Sequence, residues 1–396
     1  MRPLPLLMMV SLCACSRKPS FTFEEPGRSL GENTADPVAL ARASGHVAGL
    51  GTEVTADGKD LVLYHSEGGD AYRRGERINE VAGEVSSRAE GTPQLLAGPG
   101  MRLCALWLAR AAGGQGGLRL RCSQDFGEHW QPVVALATGS SRPPSFFAGV
   151  VSPAGKVVVT WFAHDAVGRP GTAQLRVATS ADGISFTAGR QIATDVCPCC
   201  RPALASGTGA LYLAFRSVDA ESCRDIVALR SDDDGSTWSD PVSVSRDKWQ
   251  VDGCPHSGPA LAADRDRLAV AWLTVAGDRA RLFWAESRDG GRSFTRRSPL
   301  AASVLDPNHP SLAILNGRLL AAYEGRDPAE ANGWGSRRAF LEDVQSRAVR
   351  AVPGSGRAGY PRLAVLSAGA LLASWTSHEG EVARARLSRV RIGTGR

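Results

Sequence analysis

Residues 201–205 read Arg201-Pro202-Ala203-Leu204-Ala205, a proline followed two positions later by a large apolar residue. The phrase returns at Pro93-Gln94-Leu95, Pro144-Ser145-Phe146, Pro259-Ala260-Leu261, Pro310-Ser311-Leu312 and Pro361-Arg362-Leu363. The six copies follow one another at intervals of 51, 58, 57, 51 and 51 residues. A second phrase keeps step with the first. Trp107, Trp161, Phe215, Trp272, Tyr323 and Trp375 each close an apolar run 13 to 17 residues after the proline. Proline has no N–H to give to a ladder and restricts the residue before it, so each copy marks the start of a strand. A period of about 50 residues holding several short apolar runs signals a β-propeller rather than a helical solenoid.

A third phrase is Ser-x-Asp-x-Gly-x-x-aromatic, at Ser123 to Trp130, Ser231 to Trp238 and Ser287 to Phe294, with a copy one residue short from Ser180 to Phe186. This resembles the Asp-box repeat of the sialidase superfamily, over roughly residues 90 to 390. The resemblance implies an all-β, six-bladed propeller with four strands per blade. Within each repeat the proline opens the innermost strand, the aromatic ends the second, and the Asp box follows the third. The last repeat offers only three strands, so its outer strand is expected from the N-terminal segment, which would close the ring and remove open sheet edges. The Asp-box side chain is expected to bond its own hairpin backbone, with glycine supplying the turn geometry, and to carry no chemistry.

Composition fits one such domain. Of 396 residues, 43% are hydrophobic, with 44 Gly and 23 Pro, as many short strands and tight turns require. The net charge of +6 and pI near 9.0 are mild. Much of the arginine alternates with apolar residues, as in Ala383-Arg384-Ala385-Arg386-Leu387, which is the solvent side of a half-buried strand and not a nucleic-acid patch. No apolar run beyond the N-terminus approaches the ~20 residues of a membrane helix.

The first fifteen residues, with one Arg and a short apolar core, read as an export signal. Leu12-Cys13-Ala14-Cys15 resembles a bacterial lipobox, which would make Cys15 the acylated first residue of the mature chain; a plain cleavable signal is the alternative. Ser16 in the next position points to the outer membrane, facing the periplasm or the cell surface. The expected organisation is then a signal over 1–15, a polar tether over 16–45 and a monomeric propeller over 46–396, held to the membrane by its lipid alone.

Strand counting puts the segments leading into each proline on one face, together with the loops after each aromatic. The opposite face takes the Asp boxes. Ligands of propellers bind over the central channel, where such segments converge. In sialidases, three Arg grip the substrate carboxylate, a Tyr assisted by a Glu attacks the anomeric carbon and an Asp is the acid. Tyr360-Pro361-Arg362-Leu363 resembles the Tyr-Ser-x-Leu that opens their last blade, which implies Tyr360 as nucleophile. Its partner would be Glu324 or Glu379, the acid Asp165, and the anion-binding groups Arg201, Arg216 and Arg362, whose planar forks suit a carboxylate. Trp249 could stack on a sugar ring or pin a loop. The Phe/Tyr-Arg-Ile-Pro phrase that brings the first sialidase arginine is absent.

The cysteines point elsewhere. Cys104 and Cys122 fall nearly level on adjacent antiparallel strands and are expected to form a disulfide. Cys197, Cys199, Cys200, Cys223 and Cys254 all fall on the same face as Tyr360. They are either two disulfides with a spare thiol, or a soft-metal site for copper or zinc using Cys197, Cys199, Cys200 and Cys254 with His256 and His309. Three functions therefore remain open: a glycosidase acting on an anionic glycan, a metal-binding propeller, and a binding module for a glycan or other small ligand.

Overall fold

The apolar runs that carry the aromatic phrase are buried along their whole length, as a strand enclosed on both faces must be. Leu211–Arg216 has no exposed residue, whereas its neighbour Ile226–Ser231 alternates more loosely between buried and partly exposed positions. A computed structural model places these strands in four-stranded antiparallel sheets of meander order. It describes residues 21–393 apart from 25, 26, 32, 37, 38, 44, 70, 88, 89, 111–115, 138–142, 165–172, 252, 254, 331–336 and 381.

Among the described residues there are seven sheets, not six; five have four strands, and the second and the last have five because one strand position is filled by two short segments. Six begin at the proline phrase, with inner strands Gln94–Ala97, Phe147–Val151, Ala203–Ser206, Ala260–Asp264, Leu305–Leu315 and Ala358–Ser367. The additional sheet comes first and spans Ala39–Ala43, His46–Thr55, Gly58–Glu67 and Arg73–Arg77. It escapes the repeat count because its second strand is broken up by Gly49 and Gly51 and holds no aromatic, while its outer strand is almost entirely charged. Pro37 does stand in step, 56 residues before Pro93, but the residue two places on is the small Ala39. The expected boundary between tether and propeller therefore falls inside this sheet, and the polar stretch before it is not a mere spacer.

Residues Phe21–Phe23 pair with Val382–Ile392, Phe21 opposite Ile392, and Arg28–Ser29 pair further along the same strand. The three-stranded last repeat is thus completed by the other end of the chain. Cys15, the expected acylation site, and the rest of the stretch expected to be an export signal lie outside the described residues.

Neighbouring sheets share apolar wedges. Trp107 packs with Leu61 and Leu63 of the first sheet, Trp161 with Leu106 and Leu120 of the second, and Leu372 and Leu387 of the seventh with Val62 and Tyr64 of the first. Trp107, Trp272 and Trp375 are wholly buried, each burial worth on the order of 2–3 kcal/mol. Between the second and third strands of the second sheet, Cys104 faces Cys122 and the two form the expected disulfide. The Asp boxes tighten their hairpins as expected. Ser231 Oγ donates to Asp233 Oδ1 at 2.9 Å, accepts the Gly235 N–H at 2.8 Å, and the Thr237 N–H reaches Asp233 at 2.7 Å. Gly235 holds φ of 83°, where a side chain would be strained.

Candidate functional site at the channel mouth

Inner strands of all seven sheets line one central cavity of about 300 Å³, from Ala39 in the first to Leu363 in the seventh. The segments leading into those strands meet at one end of it. Arg201 and Arg362 both line the cavity there. Glu90, in the segment leading into the second sheet, is buried between distant segments. Its carboxylate accepts the Gly258 N–H at 2.8 and 3.0 Å and lies 3.7 Å from Arg201 Nε. Arg362 donates to Thr92 Oγ1. Burial pushes the Glu90 carboxyl upward, against the nearby His309 and Arg201. Burial, then the like charge of Arg201, pushes the Arg362 guanidinium below its usual value, while Glu90 pulls the other way. Arg201 is thus the guanidinium paired with the buried carboxylate, and Arg362 feels its charge from farther off.

Beside this pair lies a pocket of about 460 Å³, lined by Glu324, Arg337, Arg357, Gly359, Tyr360 and His378. Glu324 stands on the second strand of the sixth sheet and is 5% exposed. Its carboxylate accepts His309 Nδ1 at 2.9 Å, Arg337 Nη2 at 3.3 Å and the Tyr360 N–H. The His309 and Tyr360 rings pack with centroids 4.3 Å apart, and His309 Nε2 donates to the His256 carbonyl at 3.1 Å. His256, His309 and Tyr360 all hold left-handed backbone, with φ of 50°, 46° and 54°. Each such residue costs about 1–2 kcal/mol, and strain of this kind collects at functional sites. Burial would raise the Glu324 carboxyl, but the His309 bond and charge, with Arg337, hold it lower than usual. Burial and then the charge of Glu324 push the Tyr360 phenol up. The resting proton is on the tyrosine.

The remaining candidates separate. Arg216 is wholly buried and gives its Nη2 to the carbonyls of Leu273 at 2.8 Å and Ser257 at 3.1 Å. Its guanidinium also sits 5.3 Å from the ring of Trp249, itself 8% exposed. Both are braces between the fourth and fifth sheets, neither facing the cavity. Glu379 is exposed and paired with Arg386 at 2.5 Å; of the two expected partners Glu324 is the one in contact with Tyr360, through its main-chain N–H. Asp165 and Cys254 lie outside the described residues. Cys197, Cys199 and Cys200 gather in one buried turn, with Cys223 also a free thiol. Neither histidine joins the three sulfurs within the described residues: His309 is committed to Glu324, and His256 is exposed.

Four residues escaped sequence reasoning. Glu90 is three places before Pro93 and was visible by position, since every other such segment carried a charged or aromatic group. Arg337 opens a strand that bears no motif, and Arg357 lies three residues before Tyr360, outside the phrase that marks it. Arg224, which meets Cys197, carries no signal of its own.

No protein-family model matches the chain, and no curated protein matches its sequence. Solved structures do. A Dyadobacter fermentans protein of unknown function is 16% identical, over 95% of this chain and 100% of its own, with a TM-score of 0.53. A Hadza microbial sialidase is 16% identical over 86% of this chain and 74% of its own, with a TM-score of 0.52. What is shared is the fold. A Trypanosoma rangeli sialidase in complex with sialic acid is 13% identical with a TM-score of 0.50, and this chain spans 59% of its length. The chain therefore shares a β-propeller fold with these structures, and its chemistry has to be argued from its own residues.

Proposed function

We propose that the protein is a glycoside hydrolase acting on an anionic sugar in the pocket between the sixth and seventh sheets. The observation that carries this is one pocket lined by Tyr360, Glu324, Arg337 and Arg357, in which the Glu324 carboxylate accepts the main-chain N–H of Tyr360, 36 residues away in sequence. Arg357 is exposed, and its side chain has no partner among the described residues, so it is free to take a carboxylate. Arg201 and Arg362 supply positive charge at the adjoining cavity. The sialidases among the solved structures of like fold support the substrate class as an analogy.

In this reading the Tyr360 oxygen bonds to the anomeric carbon as the glycosidic bond breaks, the phenol proton passes to Glu324 and the leaving oxygen takes a proton from solvent; water then attacks the anomeric carbon, giving up a proton to solvent, and Tyr360 leaves with the proton held on Glu324. A neutral nucleophile suits a sugar that already carries a negative charge. Glu324 is held ionised by His309 and Arg337, ready to accept that proton as the new bond forms. His309 is a positioning residue, since it acts on the substrate only through Glu324 and Tyr360.

The test is release of methylumbelliferone from a panel of sialosides and uronides. Turnover should fall at least 100-fold in Tyr360→Phe and more than 10-fold in Glu324→Gln, with KM little changed. Failure to hydrolyse any anionic glycoside faster than Tyr360→Phe does would end the proposal.

A further inference from the structure

The segment leading into the fourth sheet holds three thiols that the hydrolytic reading leaves unused. Cys197 Sγ lies 3.2 Å from Cys199 Sγ and 3.8 Å from Cys200 Sγ, and all three sulfurs fall within 4.8 Å of one another. They are 0%, 9% and 0% exposed. None of these pairs is at bonding distance, whereas Cys104 and Cys122 are joined at 2.00 Å. Metal–thiolate bonds of about 2.3 Å put the ligands of a trigonal site about 4 Å apart, within the spread found here.

The turn is held from outside. The Cys197 N–H donates to the Arg216 carbonyl at 2.8 Å, and Ser145 Oγ of the preceding sheet donates to the Pro198 carbonyl at 2.7 Å. Arg224 Nη1 donates to Cys197 Sγ at 3.0 Å, while its Nε and Nη2 both rest on the Val251 carbonyl at 3.3 Å. Three thiolates around a monovalent ion leave two negative charges in a buried place. A fixed guanidinium against one sulfur offsets part of that cost.

We propose that Cys197, Cys199 and Cys200 form a three-thiolate site for copper(I), with Arg224 as its counter-charge. Soft sulfur ligands select copper(I), which accepts three of them. Zinc asks for a fourth ligand, and no other His, Cys or carboxylate atom joins the group among the described residues. The site is independent of hydrolysis at Tyr360, which lies in the lead-in to a different sheet.

The full chain, reduced and kept free of oxygen, is titrated with copper(I) against bathocuproine disulfonate, and thiol alkylation is mapped by mass spectrometry. One copper(I) per chain should bind, show sulfur-only coordination by X-ray absorption, and protect all three cysteines from iodoacetamide. Affinity should fall at least 100-fold in Cys199→Ser/Cys200→Ser and about 10-fold in Arg224→Met. Equal copper(I) affinity in wild type and the double variant would overturn the site, as would a disulfide within the trio in exported protein or tighter, four-coordinate zinc. Should the double variant fail to fold, protection in the wild type decides: alkylation of the three thiols at the metal-free rate overturns the proposal.

Discussion

His309 and Glu324 are a buried pair whose protonation states depend on each other. Burial alone would lower the imidazole below 6.5, but the Glu324 bond and charge, with Glu90, raise it above that value. A base whose folded pKa is raised contributes stability below its unfolded value and loses it as pH rises through the folded one. An acid whose folded pKa is depressed, as Glu324 is below 4.5, contributes above its unfolded value. The pair is therefore at full strength between about pH 4.5 and 6.5. In NMR titration His309 should titrate above 6.5 in the wild type and lower in Glu324→Gln. The stability difference between the two proteins, from urea unfolding, should shrink as pH rises beyond the His309 midpoint. A wild-type midpoint at or below 6.5 would contradict this coupling. The pair matters for the site because the same carboxylate fixes the backbone of Tyr360, a residue that sits in left-handed conformation without being glycine.

Between elements, the decisive contact is a buried arginine. Arg216 ends the second strand of the fourth sheet and reaches into the fifth, capping carbonyls that would otherwise be buried without a donor. Its Nε is itself unpartnered in the interior, so the guanidinium is kept for its bonds to the carbonyls of Ser257, Leu273 and Arg224 and its stacking on Trp249, not for ideal solvation. Arg216→Met keeps the length and loses the donors. The expected cost is about 3 kcal/mol, from carbonyls left without hydrogen bonds. It should be seen in urea unfolding, with no specific loss of affinity for an anionic sugar once the protein is folded. A variant of wild-type stability and tenfold weaker sugar binding would instead return Arg216 to the ligand.

At the scale of the whole molecule, the two ends of the chain make one sheet. Phe21 is 1% exposed and packs with Leu320, Leu371 and Ile392, so the first described strand also helps join the sixth sheet to the seventh. A chain beginning at residue 30 would lose that wedge and leave Val382–Ile392 as an open edge. It should be less stable by about 3 kcal/mol and should associate through the bared strand, with the loss read by urea unfolding and the association by light scattering. A monomer of unchanged stability would show that the N-terminal strand is ornamental.

Much of this was legible in one dimension. The proline and aromatic phrases are local signals of strand start and enclosed strand, and they located six sheets. The disulfide followed from register, because residues level across a hairpin must be neighbours. The seventh sheet was not legible, since a strand such as Arg73–Arg77 is stabilised by its neighbours and not by any apolar alternation of its own. The site divides in the same way. That Tyr360, Glu324, the arginines and the cysteines belong to one face follows from counting strands. Which arginine faces a cavity and which braces two sheets, and which carboxylate reaches the tyrosine, depend on side chains meeting across segments tens to hundreds of residues apart. Glu90 accepts the Gly258 N–H over a separation of 168 residues, a contact created by the curvature of stacked sheets and written in no local pattern.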